Sequence, residues 1–180
     1  MRQVFRTVFM NCIPIIMSAL IAAVLVGVFY NEHYSAELTS LSDYGTADSR
    51  FFSNVESCTY EGDKNDILVI SGWAADTRLY SGYNYGAEMT VTSVYNESYF
   101  ALVDGEEVYR LKTIASSRED INGMFPETVL PEGVARRFGI KGFARCGKGI
   151  PEDPSGLEIC VISVRKDEGP VIQRTGVMVP

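Results

Sequence analysis

From Thr7 to Asn31 no residue carries a formal charge, and the side chains are mostly Val, Ile, Leu, Ala, Met and Phe. About 20 apolar residues rising 1.5 Å each cross the ~30 Å hydrocarbon core of a bilayer, so residues 7–31 suffice for a single transmembrane helix. This run constrains everything after it, because the rest of the chain is then a domain tethered to a membrane. Arg2 and Arg6 precede the run and Glu32 and Glu37 follow it. The Lys/Arg bias therefore predicts that residues 1–6 are a cytoplasmic tail and that the C-terminal part is extracytoplasmic. A cleaved signal peptide is the rival reading, but its apolar core spans about 7–15 residues and ends at a small-x-small site. Here the run is longer and closes with Gly27-Val28-Phe29-Tyr30.

Asn11, Pro14 and Ser18 interrupt the apolar run, and a lipid-facing Asn amide is costly enough to be expected near headgroups or against a second helix. Ala19, Ala23 and Gly27 recur at four-residue spacing. Such a stripe lets a second helix approach closely and predicts helix packing, although Ala and Gly are also common in membrane helices generally.

About 150 residues remain outside the run, enough for one domain with a sizeable core. All 23 acidic residues lie in that part, whereas two of the 16 Lys and Arg, Arg2 and Arg6, do not. The outer part is thus about nine charges negative, which argues against nucleic acid and anionic headgroups as partners. The single histidine, His33, abuts the apolar run, so a Ser-His-Asp or Cys-His unit would need a residue far from the main fold. Histidine-rich zinc chemistry is disfavoured for the same reason. Walker, Rossmann and Gly-x-Ser-x-Gly signatures are absent. No metal or other cofactor is expected, and the reading is non-catalytic.

Cys12 falls in the apolar run and Cys58, Cys146 and Cys160 beyond it, without a Cys-x-x-Cys spacing. An oxidising exterior permits one disulfide among the three. Cys58 and Cys146, near polar strand ends, are the preferred pair, while Cys160 in the run 157–162 reads as a buried thiol in a strand. In a host that does not oxidise its surface proteins, all three are core thiols.

Tyr34, Leu38, Leu41 and Tyr44 fall at helical spacing, so residues 32–50 are expected to form a juxtamembrane stalk. Strand signals dominate residues 51–180. Candidates are 51–60, a central apolar strand from Ile67 to Asp76, 89–95, 99–103, 108–114, 138–145, 156–164 and 171–179. Asp104-Gly105 marks a tight hairpin. Ser117, Glu119 and Asp120 predict one short inserted helix ending near Gly123 or Pro126. Short strands with turn residues between them predict a mainly β fold, an antiparallel, immunoglobulin-like sandwich.

The residues Gly72-Trp73-Ala74-Ala75-Asp76, then Arg118-Glu119-Asp120-Ile121 with Phe125, then Gly142-Phe143 and Gly156-Leu157-Glu158-Ile159 resemble the pattern of small β-sandwich accessory domains. Those domains are attached to bacterial surface-polysaccharide glycosyltransferases and related envelope proteins. The resemblance implies an accessory role in envelope glycan assembly. It also implies that the Arg-x-Asp pair and the Gly-Phe step are fold determinants. This chain departs from the pattern in lacking an attached catalytic domain.

Tyr80, Tyr83 and Tyr85, interleaved with Gly82, Asn84 and Gly86, form an aromatic loop. Its rings either stack on sugar CH groups or fold back onto the sandwich. Trp73 is expected in the core. The carboxylates Asp63, Asp66, Glu152 and Asp153 are scattered through turns without calcium-loop spacing and read as solvated. Three function classes follow in order: an accessory protein whose outer domain binds an envelope protein or glycan, an assembly subunit that self-associates through the helix stripe and sheet edges, and an enzyme.

Overall fold

The computed structural model describes residues 15–29, 34–76, 97–122, 124, 138–165 and 169–180. The chain divides into two compact units, Met1–His33 and Tyr34–Pro180. In the first, residues 15–29 are helical (α1), and large side chains from Ile15 (70% exposed) to Phe29 (70%) are open along it. Among the described residues no helix is long and apolar enough to cross a membrane. The described part of α1 accounts for 15 residues, about 22 Å at 1.5 Å per residue, and the expected span of 7–31 extends beyond it at both ends.

The second unit is mainly β and built on two sheets. Its strands are β1 (Glu37–Ser40), β2 (Gly45–Thr46), β3 (Phe51–Glu61), β4 (Ile67–Asp76), β5 (Ser98–Asp104), β6 (Glu107–Arg110), β7 (Lys112–Ser116), β8 (Gly139–Cys146), β9 (Gly149–Ile150), β10 (Glu158–Arg165) and β11 (Gly169–Met178). One sheet runs β1-β6-β5-β10-β11-β2, and the other runs β3-β4-β8-β7 with β9 beside β8. Pairing is antiparallel except for the short parallel contacts β11–β2 and β8–β9. The short helix α2 (Glu119–Asn122) stands between β7 and β8, as expected.

Alternation along each strand puts Leu68, Ile70, Phe100, Leu102, Ile140, Ala144, Ile159 and Val161 into one core fed by both sheets. The chain changes sheet between β6 and β7 at Leu111, which is buried. The strand expected over 108–114 is therefore two strands joined by a corner. A two-residue hairpin does join β5 to β6, but one position later than expected: Asp104 is still paired with Glu107, and the turn residues are Gly105, at φ 57°, and Glu106. Gly72 and Gly142 lie beneath Phe100, where an added Cβ would stand 3.2 Å and 3.0 Å respectively from Phe100 atoms. The Gly-Phe step is thus a fold determinant because Gly142 leaves room for a ring from the opposite sheet. Arg118 donates two 2.8 Å hydrogen bonds to the carboxylate of Glu56 on β3 and bonds both oxygens of Asp120 on α2. This ties the inserted helix to the far edge strand.

Two expectations need correction. Residues 34–50 are not a helical stalk. β1 and β2 are the opposite edges of the six-stranded sheet, and the 3-10 turn Leu41–Asp43 carries the chain between them. The five residue steps from Ser40 to Gly45 reach at most about 18 Å, whereas five flat strand spacings are about 24 Å, so the sheet curls around this crossing. Leu41 and Tyr44 pack there on Ala101, Val103, Val108, Cys160, Ile162 and Ile172. The sheet is thus apolar on both faces, and residues 34–46 form a strap that crosses the second one at residues 41–44. Trp73 is also displaced from its expected place. Gly72 and Ala74 take the core-facing positions of β4, so the period of two turns Trp73 to the other face, where it is half-buried.

Candidate functional site

The β3–β4 turn is tight because Gly62 and Asn65 adopt φ of 90° and 51° and the Asn65 amide donates to the Gly62 carbonyl at 3.1 Å. It projects Lys64, Asn65 and Asp66. Because β8 pairs with β4, the end of β8 lies next to this turn: the Cys146 amide donates to the Asp66 carbonyl at 2.8 Å. The Arg145 Nε stands 3.1 Å from Asp66 Oδ2, an ion pair rather than an aligned hydrogen bond. The chain then reverses through Gly147 and Gly149, at φ of 73° and 82°, and β9 runs parallel to the end of β8. The loop after β9 returns Glu152, Asp153 and the buried Pro154 to the same place.

The result is a cleft of about 640 Å³ lined by Tyr60, Lys64, Asn65, Asp66, Cys146, Glu152, Asp153 and Pro154. One wall is the β3–β4 turn and the other the loop after β9; Tyr60, on β3, contributes a half-buried ring. Asp153 accepts two hydrogen bonds through one oxygen, Oδ1, from the Ser155 amide (3.0 Å) and hydroxyl (2.6 Å). Those bonds hold its carboxyl below the usual range. Burial pushes the Cys146 thiol up, with Asp66 and Asp153 adding to the shift. Burial also raises the Tyr60 phenol, followed by the nearby thiols and Asp153. Both shifts run away from the ionised forms that act as nucleophiles, and the Tyr60 hydroxyl donates to the Pro180 carbonyl at 3.4 Å. The chemistry on display is mixed hydrogen bonding, with Lys64 and the Asn65 amide as donors and Glu152 and Asp153 as acceptors.

The carboxylates expected to be scattered are therefore partly assembled, since Asp66, Glu152 and Asp153 share the cleft while Asp63 does not line it. The sequence signal was two polar turns, 62–66 and 151–155, but only the order β3-β4-β8 with β9 beside β8 brings them together. Among the described residues no group of three His, Cys, Asp or Glu side chains is placed to hold a metal ion.

Tyr80, Tyr83 and Tyr85 lie outside the described residues. Ala19, Ala23 and Gly27 lie on α1, all exposed, and an added Cβ at Gly27 would meet nothing within 4 Å. The expected Cys58–Cys146 bridge is not formed, because both residues carry free thiols. Cys58 stands opposite Ile70, Ile70 opposite Gly142, and Cys146 four residues further along β8. That offset and two strand spacings amount to roughly 16 Å, against the ~7 Å between Cα atoms that a disulfide tolerates. Cys160 is buried as expected, and burial, with Glu158 nearby, pushes its thiol up to about 12.

Searches against protein-family models, curated proteins and solved structures match nothing to this chain. The resemblance to glycosyltransferase accessory domains accordingly rests on the sequence motifs alone.

Proposed function

We propose that this chain is a non-catalytic, single-pass membrane protein whose extracytoplasmic, immunoglobulin-like sandwich binds a glycan or a protein partner of the cell envelope. The uncharged run 7–31 is its anchor, with the N-terminus in the cytoplasm. The observation that carries the reading is the cleft between the β3–β4 turn and the loop after β9. There a tyrosine ring and partner-ready donors and acceptors converge, the composition of a site for a polyhydroxylated ligand. The raised Cys146 and Tyr60 groups in the same cleft support a binding role over an activated nucleophile. A glycan array probed with the detergent-solubilised full chain tests it. Binding that weakens when Tyr60 and Asn65 are both replaced by Ala supports the assignment, and an array without any retained glycan, together with a pull-down without any envelope protein, rejects it. Protease added outside intact cells should degrade the region after Asn31, and a protected C-terminus would reverse the proposed orientation.

A second reading, an assembly subunit that self-associates as a homo-oligomer, draws on the exposed stripe of Ala19, Ala23 and Gly27 on α1. Crosslinking of the full chain in membranes separates the two, because glycan binding by a strictly monomeric chain excludes the assembly role.

A further inference from the structure

The two walls of the cleft differ in chemistry. The β3–β4 turn contributes the Lys64 ammonium and the Asn65 amide, and its one carboxylate, Asp66, is already paired with Arg145. The opposite wall contributes two adjacent carboxylates. Asp153 uses Oδ1 for both bonds from Ser155, which leaves Oδ2 without a bond among the described residues. Glu152 is exposed, and its carboxylate bonds no described residue. Two unspent anionic groups thus face a cleft otherwise lined by the Tyr60 phenol, the Asn65 amide, the Lys64 ammonium, the Cys146 thiol, the apolar Pro154 and the already paired Asp66. A neutral sugar offers these exposed carboxylates hydroxyl donors alone, whereas a ligand ammonium adds a positive charge that pairs with both. The tyrosine ring offers its face to ring CH groups or to the cation itself.

We infer that the ligand of this cleft is an amino-sugar unit with a free ammonium group, which Glu152 and Asp153 receive while Asn65 and Lys64 hydrogen-bond the ring hydroxyls and Tyr60, whose hydroxyl donates to the Pro180 carbonyl, covers a ring face. This inference rests on the glycan-binding reading above and narrows it. It commits to the deacetylated form of the sugar, because an N-acetyl group offers one uncharged amide donor where an ammonium offers three donors and a compensating charge for the two carboxylates.

The test compares four probes by calorimetric titration on the full chain in detergent, at a pH where free amines are protonated. They are a fully deacetylated glucosamine hexamer, the N-acetylated hexamer, a neutral glucose hexamer and hexalysine. The deacetylated hexamer should bind at least tenfold more tightly than either uncharged hexamer, and Glu152→Gln with Asp153→Asn should remove that preference. Both replacements are at exposed positions, and a melting curve of the variant checks that it is folded. Equal binding of the N-acetylated or glucose hexamer would overturn the amino-sugar assignment while leaving a glycan-binding protein. Hexalysine binding as tightly, with the same loss in the double variant, would overturn it in favour of charge alone. Binding of none of the four would overturn it, and the array above then decides whether the glycan reading survives.

Discussion

Phe100 and Gly142 meet across the sandwich so closely that a Cβ on the glycine would stand 3.0 Å from the Phe100 Cβ and 3.2 Å from its ring. Gly72, diagonal to it on β4, is tighter still, since its added Cβ would stand 2.1 Å from the Asn54 carbonyl oxygen. At Gly142 the obstacle is a side chain, and at Gly72 it is the backbone of the neighbouring strand. Overpacking a core costs about 1–3 kcal/mol and more where backbone has to move. Gly142→Ala is therefore expected to lower the melting temperature of the unit Tyr34–Pro180 by about 3–10 °C, and Gly72→Ala by more. Thermal melts of the two variants check the order. A Gly72→Ala protein as stable as the parent would show that the β3–β4 contact is looser than described.

The Arg118 cluster makes stability depend on acid. Arg118 holds the Asp120 carboxyl below its usual range, and its own guanidinium is pushed up, by Asp120 first and Glu56 next. A carboxylate depressed in the folded chain contributes fully above its unfolded value of about 4 and loses that contribution as the pH falls through its folded value. Arg118→Ala should lower the melting temperature by about 2–4 °C at pH 7. The gap to the parent should narrow by about pH 3. A gap of constant size from pH 7 to pH 3 would mean that Arg118 acts through packing and not through its ion pairs.

The thiols should report the register directly. Denatured protein alkylated without reductant is expected to yield separate modified peptides for Cys58, Cys146 and Cys160. In the native protein Cys160 should react slowest, because it is buried and pushed up to about 12. Cys58 and Cys146, raised by burial to a lesser degree, should react faster as the pH rises. A peptide joining Cys58 to Cys146 would show that β3 and β8 do not flank β4 as described.

Much of this fold is written in local pattern. β3, β4, β8, β10 and β11 each carry a long apolar or alternating run between turn residues, and Gly105 marks the β5–β6 hairpin by its backbone preference, with Asp104 before it still in the strand. The strap was not legible, because β1 and β2 are four and two residues long, too short for a period of two to emerge. Tyr34, Leu38, Leu41 and Tyr44 happen to fall at helical spacing, but Leu38 pairs in β1 with β6, Tyr34 meets Phe143 of the other sheet edge-on, and only Leu41 and Tyr44 pack on the second apolar face of the six-stranded sheet. Trp73 shows a related limit. Its strand is apolar on both faces, so composition could not say which face held the tryptophan. The cleft is harder to read than either, since its two walls are about 90 residues apart and meet only through sheet order. The Arg-x-Asp and Gly-Phe motifs were legible as fold determinants, but their partners Glu56 and Phe100 come from distant strands.

The strap pairs through two short edge strands, and one glycine holds its start. Gly149 has a φ of 82°, and an added Cβ would stand 2.7 Å from the Ala36 amide nitrogen and 2.8 Å from its carbonyl oxygen. Just before Ala36, the Tyr34 carbonyl accepts from the Arg145 amide at 2.9 Å. Beyond it lie the ion pair of Glu37 with Arg110 and the 2.8 Å hydrogen bond between the Thr39 and Tyr44 hydroxyls. The strap's own pairing is confined to six residues in β1 and β2, so its local opening should cost far less than global unfolding. Gly149→Val forces the Ala36 backbone away and strains the β9 entry. Hydrogen exchange should then accelerate over residues 36–46 while β4 and β10, in the middle of their sheets, keep their protection. Leu41→Ala, which leaves that entry intact and removes only the contact with the outer face, should produce the same pattern more weakly. Uniform acceleration across all strands in both variants would show that the strap and the sheets open as one unit, and its role as a separable cover would be lost.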